Sequence, residues 1–191
     1  SENPTTSTAS RRSCPSEEIR AELLKSDASA RQRYANIESA VQSFAGKVLA
    51  DGSVDIPVVV NVIYKTSAEN ISDARIAEQI AILNADFAGT NTDASKIPTE
   101  FSGKKAGDTK VRFHLIKTVR KSTTKTKWGT NDAMKKASTG GIDATTPSSY
   151  FNLWVVGNMG GVLGYATFPE SAGLWNDGVV IAAPYFGKTG A

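Results

Sequence analysis

The sequence predicts an α/β (α+β) fold: a mixed, twisted sheet of about five strands with one long backing helix, preceded by a helical N-terminal segment. Three observations carry this. Val58, Val60 and Val62 alternate with Val59, Asn61 and Ile63, a β-branched run apolar on nearly both faces, as a strand between neighbours requires. Ile76, Ile80, Leu83 and Phe87 follow at spacings of four, three and four, the stripe of an amphipathic helix. Strand patterns then recur at 111–115, 151–155, 162–168 and 179–183, so a strand–helix–strand crossover opens the sheet.

Residues 1–13 are rich in Ser and Thr and read as a disordered tail. Residues 14–53 read as a helical segment. Pro15, Ser16, Glu17 and Glu18 suit a first helical turn, where acids meet the positive end of the helix dipole. Ile19 and Leu23 share one face. After Asp27 a second stripe, Tyr34, Ile37, Val41 and Phe44, needs a surface to pack on. Gly46 and Gly52 bracket a boundary, and residues 54–191 read as the next unit. Pro57 puts the start of the first strand at a sheet edge or strand end. Ser72 and Asp73 cap the long helix. Residues 88–109 read as a long loop. Val111, Phe113 and Leu115 form one strand face, with Arg112 and His114 opposite. Residues 117–149 read as mostly loop, with a short helix around Asp132 to Ala137. Phe151, Leu153 and Val155 face one side of a further strand.

Composition narrows the function. A chain of 191 residues can bury a core as one domain, or one domain plus a small segment. No apolar run approaches the roughly 18 residues that span a bilayer, so no membrane partner is expected. Net charge is only +3, and the densest basic stretch (Lys117, Arg120, Lys121, Lys125, Lys127) lacks interleaved aromatics. It reads as a solvated loop, and no nucleic-acid partner is expected. Cys14 is the only cysteine, which rules out an internal disulfide. The polar start, Ser1 to Ser10, fits a secreted protein whose signal peptide has been removed or is absent here. His114 is the only histidine and sits mid-strand, a polar position on a sheet face. A zinc hydrolase site needs several such ligands and an open position for water, so no catalytic residue is expected in this chain. Gly160, Gly161 and Gly164 lack the strand-to-helix context of a phosphate loop.

The order of motifs adds to this reading. Gln79, Ile80, Leu83, Asn84 and Phe87 are followed by Asn91, Asp93, Pro98 and Phe101, then by the Val111–Leu115 strand. Gly140, Gly141, Tyr150, Asn152 and Trp154 come next, then Gly164, Tyr165, Ala166 and Pro169, then Asp177, Gly178, Val179, Val180 and Ile181. Each block alone is common, but the ordered set resembles the upper half of a pappalysin-type, metzincin-clan zinc metalloprotease catalytic domain, over roughly residues 56–187. That resemblance implies a secreted zinc endopeptidase made as a zymogen. In that family a helix bearing H-E-x-x-H-x-x-G-x-x-H follows shortly, whereas this sequence ends at Ala191. The expectation is therefore a pro-segment plus upper subdomain, inactive alone, whose partners are a protein or peptide substrate and the C-terminal half of the catalytic domain.

The resemblance also implies site residues. Val162, Leu163, Gly164, Tyr165 and Ala166 map onto the edge strand with which substrate pairs as an added antiparallel strand. Gly164 fits a close backbone approach there, or else a bulge or bend. Cys14, preceded by Arg11 and Arg12, maps onto a pro-segment cysteine that ligates the catalytic zinc in the latent form; the residues alone equally allow an idle thiol. This chain has Pro15 where that motif usually has glycine. Zinc is the implied cofactor, with calcium in some relatives. The missing zinc helix would leave the Trp154 and Val156 face exposed. The alternative reading is a non-catalytic module that binds protein or peptide through the sheet edge.

Overall fold

The computed structural model describes residues 15–41 and 49–188. Two helices come first, α1 (Ser16–Ser26) and α2 (Ala28–Val41). Pro15 takes the N-cap of α1, one place earlier than the sequence suggests, with Glu17 and Glu18 in the first turn and Lys25 in the last. Asp27 separates the helices, and its Oδ1 accepts the Ser29 N–H at 2.7 Å, so the second helix starts at once. In α2, Ala30 is fully buried and Tyr34 and Ile37 are half-buried, and the helix packs on a single 3₁₀ turn at Pro169–Ser171. Cys14, Phe44, Gly46, the Val41 side chain and the 1–13 tail lie outside what the structure describes.

The sheet has five strands, β1 (Val54–Tyr64), β2 (Val111–Ser122), β3 (Phe151–Val156), β4 (Gly164–Ala166) and β5 (Val179–Ala182), in the order β2-β1-β3-β5-β4. All neighbours are parallel except β4 and β5. Pro57 is tolerated because pairing of β1 with β3 begins only at Val58, so the prolyl nitrogen has no partner strand to serve. The helix α3 (Asp73–Phe87) starts at Ser72, whose hydroxyl accepts the Arg75 N–H at 3.2 Å.

The structure corrects four sequence expectations. The strand β2 continues to Ser122 instead of ending near residue 116, after a bulge between Val58 and Val59 that leaves Ile116 as the extra residue. Much of the basic stretch is therefore edge strand, not solvated loop. The Arg120 guanidinium donates to Asn70 Oδ1 (2.6 Å), Ile71 O (2.7 Å) and Asp73 Oδ1 (2.5 Å), and Lys121 Nζ donates to Gly141 O at 2.7 Å. Second, the helix expected near residue 132 is two 3₁₀ turns, Ala133–Lys135 and Ala137–Thr139; two more, Thr92–Lys96 and Thr99–Lys104, interrupt the expected 88–109 loop. Third, β4 is shorter than the apolar run 162–168, because Val162 closes a turn onto Met159 O and Pro169 begins a 3₁₀ turn.

The fourth correction concerns the core. Trp154 and Val156 are fully buried. One sheet face, Val58, Val60, Val62, Leu153 and Val155, packs under α3 through Ile76 and Ile80, and under Phe186. The other face, Trp154, Val156, Val180 and Ala182, is covered by Trp128, Met134, Ile142 and Met159 from the irregular segments. Trp154 Nε1 donates to Ile142 O at 2.9 Å, which pins that cover down. Gly141 makes it possible, since a Cβ there would lie 2.1 Å from Met134 O.

Candidate functional site

The site is the outer edge of β4 and the helix lying along it. In β4 the odd residues face β5: Leu163 O accepts the Ala182 N–H at 2.9 Å, and the Thr167 N–H reaches Gly178 O at 3.1 Å. Strand alternation turns the Gly164 and Ala166 amides to the other side, away from the sheet. On that side the Ala166 N–H donates to Ser16 Oγ in α1 at 3.0 Å. The first helix thus stands where an added strand would pair.

Gly164 pairs with Ile181 in a continuous register, without the bulge or bend that was one reading of it. A Cβ there would meet Val180 O at 2.5 Å, so the close backbone approach that requires glycine is made by β5 within the sheet. Val162 and Leu163 are half-buried, Tyr165 is buried and Ala166 is half-buried.

Behind β4, Tyr165 donates its hydroxyl to Asp132 Oδ1 at 2.7 Å. Asp132 Oδ2 accepts from Asn176 Nδ2 at 2.9 Å, and Lys135 Nζ lies 3.0 Å from Asp132 Oδ1 and donates to Asn176 O at 2.7 Å. Burial pulls the Lys135 amine below its ordinary value against the opposing pull of Asp132. Burial first, and Asp132 second, push the Tyr165 hydroxyl well above its own. This network locks the strand from its buried side.

Beyond β4 the chain turns at Pro169–Ser171, carrying Glu170 only 1% exposed. Arg20 Nε donates to Glu170 Oε1 at 2.9 Å, and Arg33 Nε to Glu170 O at 2.7 Å. The Arg20 guanidinium carbon lies 4.4 Å from the Phe168 ring centre and 4.7 Å from that of Tyr34. Burial works against the Arg20 charge, but the bond to Glu170 holds it above its ordinary value. A cavity of about 90 Å³ remains between α1 and β4, lined by Ile19, Arg20, Leu23, Tyr165, Phe168 and Glu170 among others. Sequence reasoning found β4 but missed Arg20, Glu170, Arg33 and Asp132. An acid after a proline and an arginine in a polar helix carry no local sign that they meet.

The other candidates stay apart. His114 is exposed on the opposite edge, with Nε2 at 2.5 Å from Asp55 Oδ1. Among the described residues no group of three or more His, Cys, Asp or Glu is arranged to hold a metal ion, so these residues do not fit a catalytic zinc.

No family model and no curated protein matches the chain. Solved structures do match. A promirolysin mutant from Tannerella forsythia is similar at TM-score 0.80 and 33% identity, over 94% of this chain and 62% of that one. Mirolysin in complex with a small compound matches at TM-score 0.68 and 38% identity, and mature mirolysin from Tannerella forsythia in complex with a cleaved peptide at 0.68 and 36%. Each of these two covers 72% of this chain and is itself covered over 56%. The neighbours are peptidases. This chain shares their mixed five-stranded sheet with helices, and spans about three-fifths of their length.

Proposed function

We propose that this chain is the pro-segment and upper catalytic subdomain of a secreted, pappalysin-type zinc endopeptidase, with β4 as the strand on which substrate is aligned. The observation that carries the reading is the Ser16–Ala166 hydrogen bond, which sets α1 along the outer side of β4. Two further facts support it. A pro-form matches nearly the whole chain and the mature form about a fifth less, a difference about the size of the segment before β1. The mature neighbour was solved with a cleaved peptide.

In this reading an extended substrate takes the place of α1. Its backbone exchanges hydrogen bonds with the Gly164 and Ala166 amides, which fixes direction and register while side chains stay free to vary. The Tyr165–Asp132 network holds the strand rigid for that purpose. Zinc, when present in the whole enzyme, would activate water and polarise the scissile carbonyl. Its ligands would come from outside the residues described here, which hold no group arranged for a metal ion. Cys14 would act from the pro-segment as a ligand that keeps the metal unreactive.

The test is a peptidase assay on the chain extended past Ala191, with and without a chelator. Zinc-dependent cleavage is expected, and Cys14→Ala should raise the activity of the unprocessed form. An extension with no H-E-x-x-H sequence, or one with it that cleaves nothing, sinks the protease reading and leaves a peptide-binding module. Unchanged latency in the cysteine variant removes Cys14 from the mechanism.

A further inference from the structure

Two of the three tryptophans are core residues, Trp154 fully buried and Trp128 only 3% exposed, but Trp175 keeps 46% of its surface in solvent. It belongs to neither core cluster. Instead it walls an open recess of about 560 Å³, with Lys136, Ser138, Asp143, Ala144 and Pro147 around it. The recess shares no lining residue with the cavity beneath α1. Both of its sides are fixed by hydrogen bonds. On one side the Ala137 N–H donates to Asp143 Oδ1 and the Gly141 N–H to Lys136 O, each at 2.8 Å, which closes the 136–143 loop. On the other, the Gly173 N–H donates to Asp177 Oδ2 at 2.8 Å, and Asn176 is tied to Lys135 through its carbonyl and to Asp132 through its side-chain amide. A large apolar ring held half in water on so fixed a loop is a contact surface rather than packing.

Three groups define what fits. The Lys136 ammonium lies 3.9 Å from the Trp175 ring centre, so the indole face draws electropositive hydrogens, as its quadrupole dictates. The polarised C–H face of a pyranose ring meets the same requirement, whereas a nucleobase brings a second π cloud to it. Asp143 has no partner for Oδ2 among the described residues, and Ser138 adds a hydroxyl, so the rim can both accept from and donate to neighbouring hydroxyl groups. Lys135 is committed to Asp132 at 3.0 Å, while Lys136 has no carboxylate partner among the described residues. We propose that this recess binds an acidic saccharide, a uronic-acid unit stacked on Trp175 with its carboxylate on Lys136 and its hydroxyls on Ser138 and Asp143. The sugar takes the place of Lys136 over the ring, and the flexible lysine stem carries the ammonium to the sugar carboxylate. The exchange is favourable because an exposed cation–π contact is weaker than a charge-assisted hydrogen bond.

Calorimetric titration of the full 191-residue chain with a trimer of galacturonic acid tests this, with its methyl ester as the uncharged counterpart. The acid should bind saturably and about tenfold tighter than the ester, the worth of one charge-assisted hydrogen-bonded contact. Because the other two tryptophans are buried, the same titration should shift the indole emission of Trp175 alone. Lys136→Met keeps the apolar stem and should bind acid and ester alike. Trp175→Ala should weaken both by at least about tenfold. Trp175→Leu, which keeps apolar bulk without the ring, takes its place should W175A prove unfolded.

Equal affinity of the parent chain for acid and ester overturns the pairing with Lys136 and with it the acidic saccharide. Acid binding that survives loss of the ring and fades with added salt is unspecific attraction to lysines, and overturns the stacked site. Uridine monophosphate binding more tightly than the trimer, with the same dependence on Trp175, makes the recess a nucleotide site and overturns the saccharide. Neither heat nor an emission change with any of the three ligands overturns it as well.

Discussion

At Gly164 the absence of one carbon decides whether β4 can exist. A Cβ would sit 2.5 Å from Val180 O, a contact that only movement of the strand relieves. Gly164→Ala should cost roughly 1–3 kcal/mol and disturb the β4 amides selectively; a variant with unchanged melting and unchanged β4 amide shifts would refute the packing argument. Tyr165 is the neighbouring test. Its folded-state pKa is raised, so the stability it contributes is fully present below the unfolded value of about 10 and is lost as pH climbs above it. The parent chain should therefore lose stability above about pH 10 more steeply than Tyr165→Phe. Parallel alkaline limbs in the two proteins would count against the buried hydroxyl.

At the scale of elements, the N-terminal helices are held by a few specific ties rather than by a deep core: α1 has no fully buried residue. The Asp27 carboxyl, which separates them, is held below the ordinary carboxylate range by the Ala30 and Ser29 amides. A lowered folded pKa means that its contribution is present above about pH 3.9 and fades as acid titrates it through the folded value. Below that pH, α2 should fray before the sheet melts, and Asp27→Asn should show a shallower acid limb when helicity is followed at pH 2–5; identical limbs would argue against the cap. Here the legibility of the sequence also divides. The stripes Ile76–Ile80–Leu83 and Tyr34–Ile37 were readable, because periodicity reports burial directly. The length of β2 was not, because Lys117 and Lys121 are as welcome on a sheet edge as in a loop. The docking of α1 was invisible for a different reason: Ser16 and Ala166 carry no complementary pattern, only complementary positions.

For the whole molecule, the decisive finding is that both faces of the sheet are covered. The resemblance suggested an open Trp154 face, because the zinc helix that would cover it is missing, and segments 128–142 lack the regular spacing that advertises a packing surface. Their Trp128, Met134 and Ile142 nonetheless close over it. Accordingly the chain should unfold in one cooperative transition and bind little of a dye such as ANS at neutral pH. Trp154→Ala should cost about 3–5 kcal/mol and bring dye binding with it. Strong dye fluorescence from the native parent would contradict the covered face. The fold class and the existence of β4 were legible because both follow from runs of apolar residues, whereas its place at the sheet edge was implied by the family resemblance alone. The buried Glu170 was not, because ion pairs between distant residues leave no periodic trace.

The contact between Ser16 and Ala166 also has a consequence in time. These residues are 150 positions apart. At synthesis rates of 5–20 residues per second, α1 waits roughly 8–30 s before the strand it lies on has been made. During that interval nothing it will finally touch in β4 exists, and the long loop it must close adds to the delay. The first helix made is the last to find its seat.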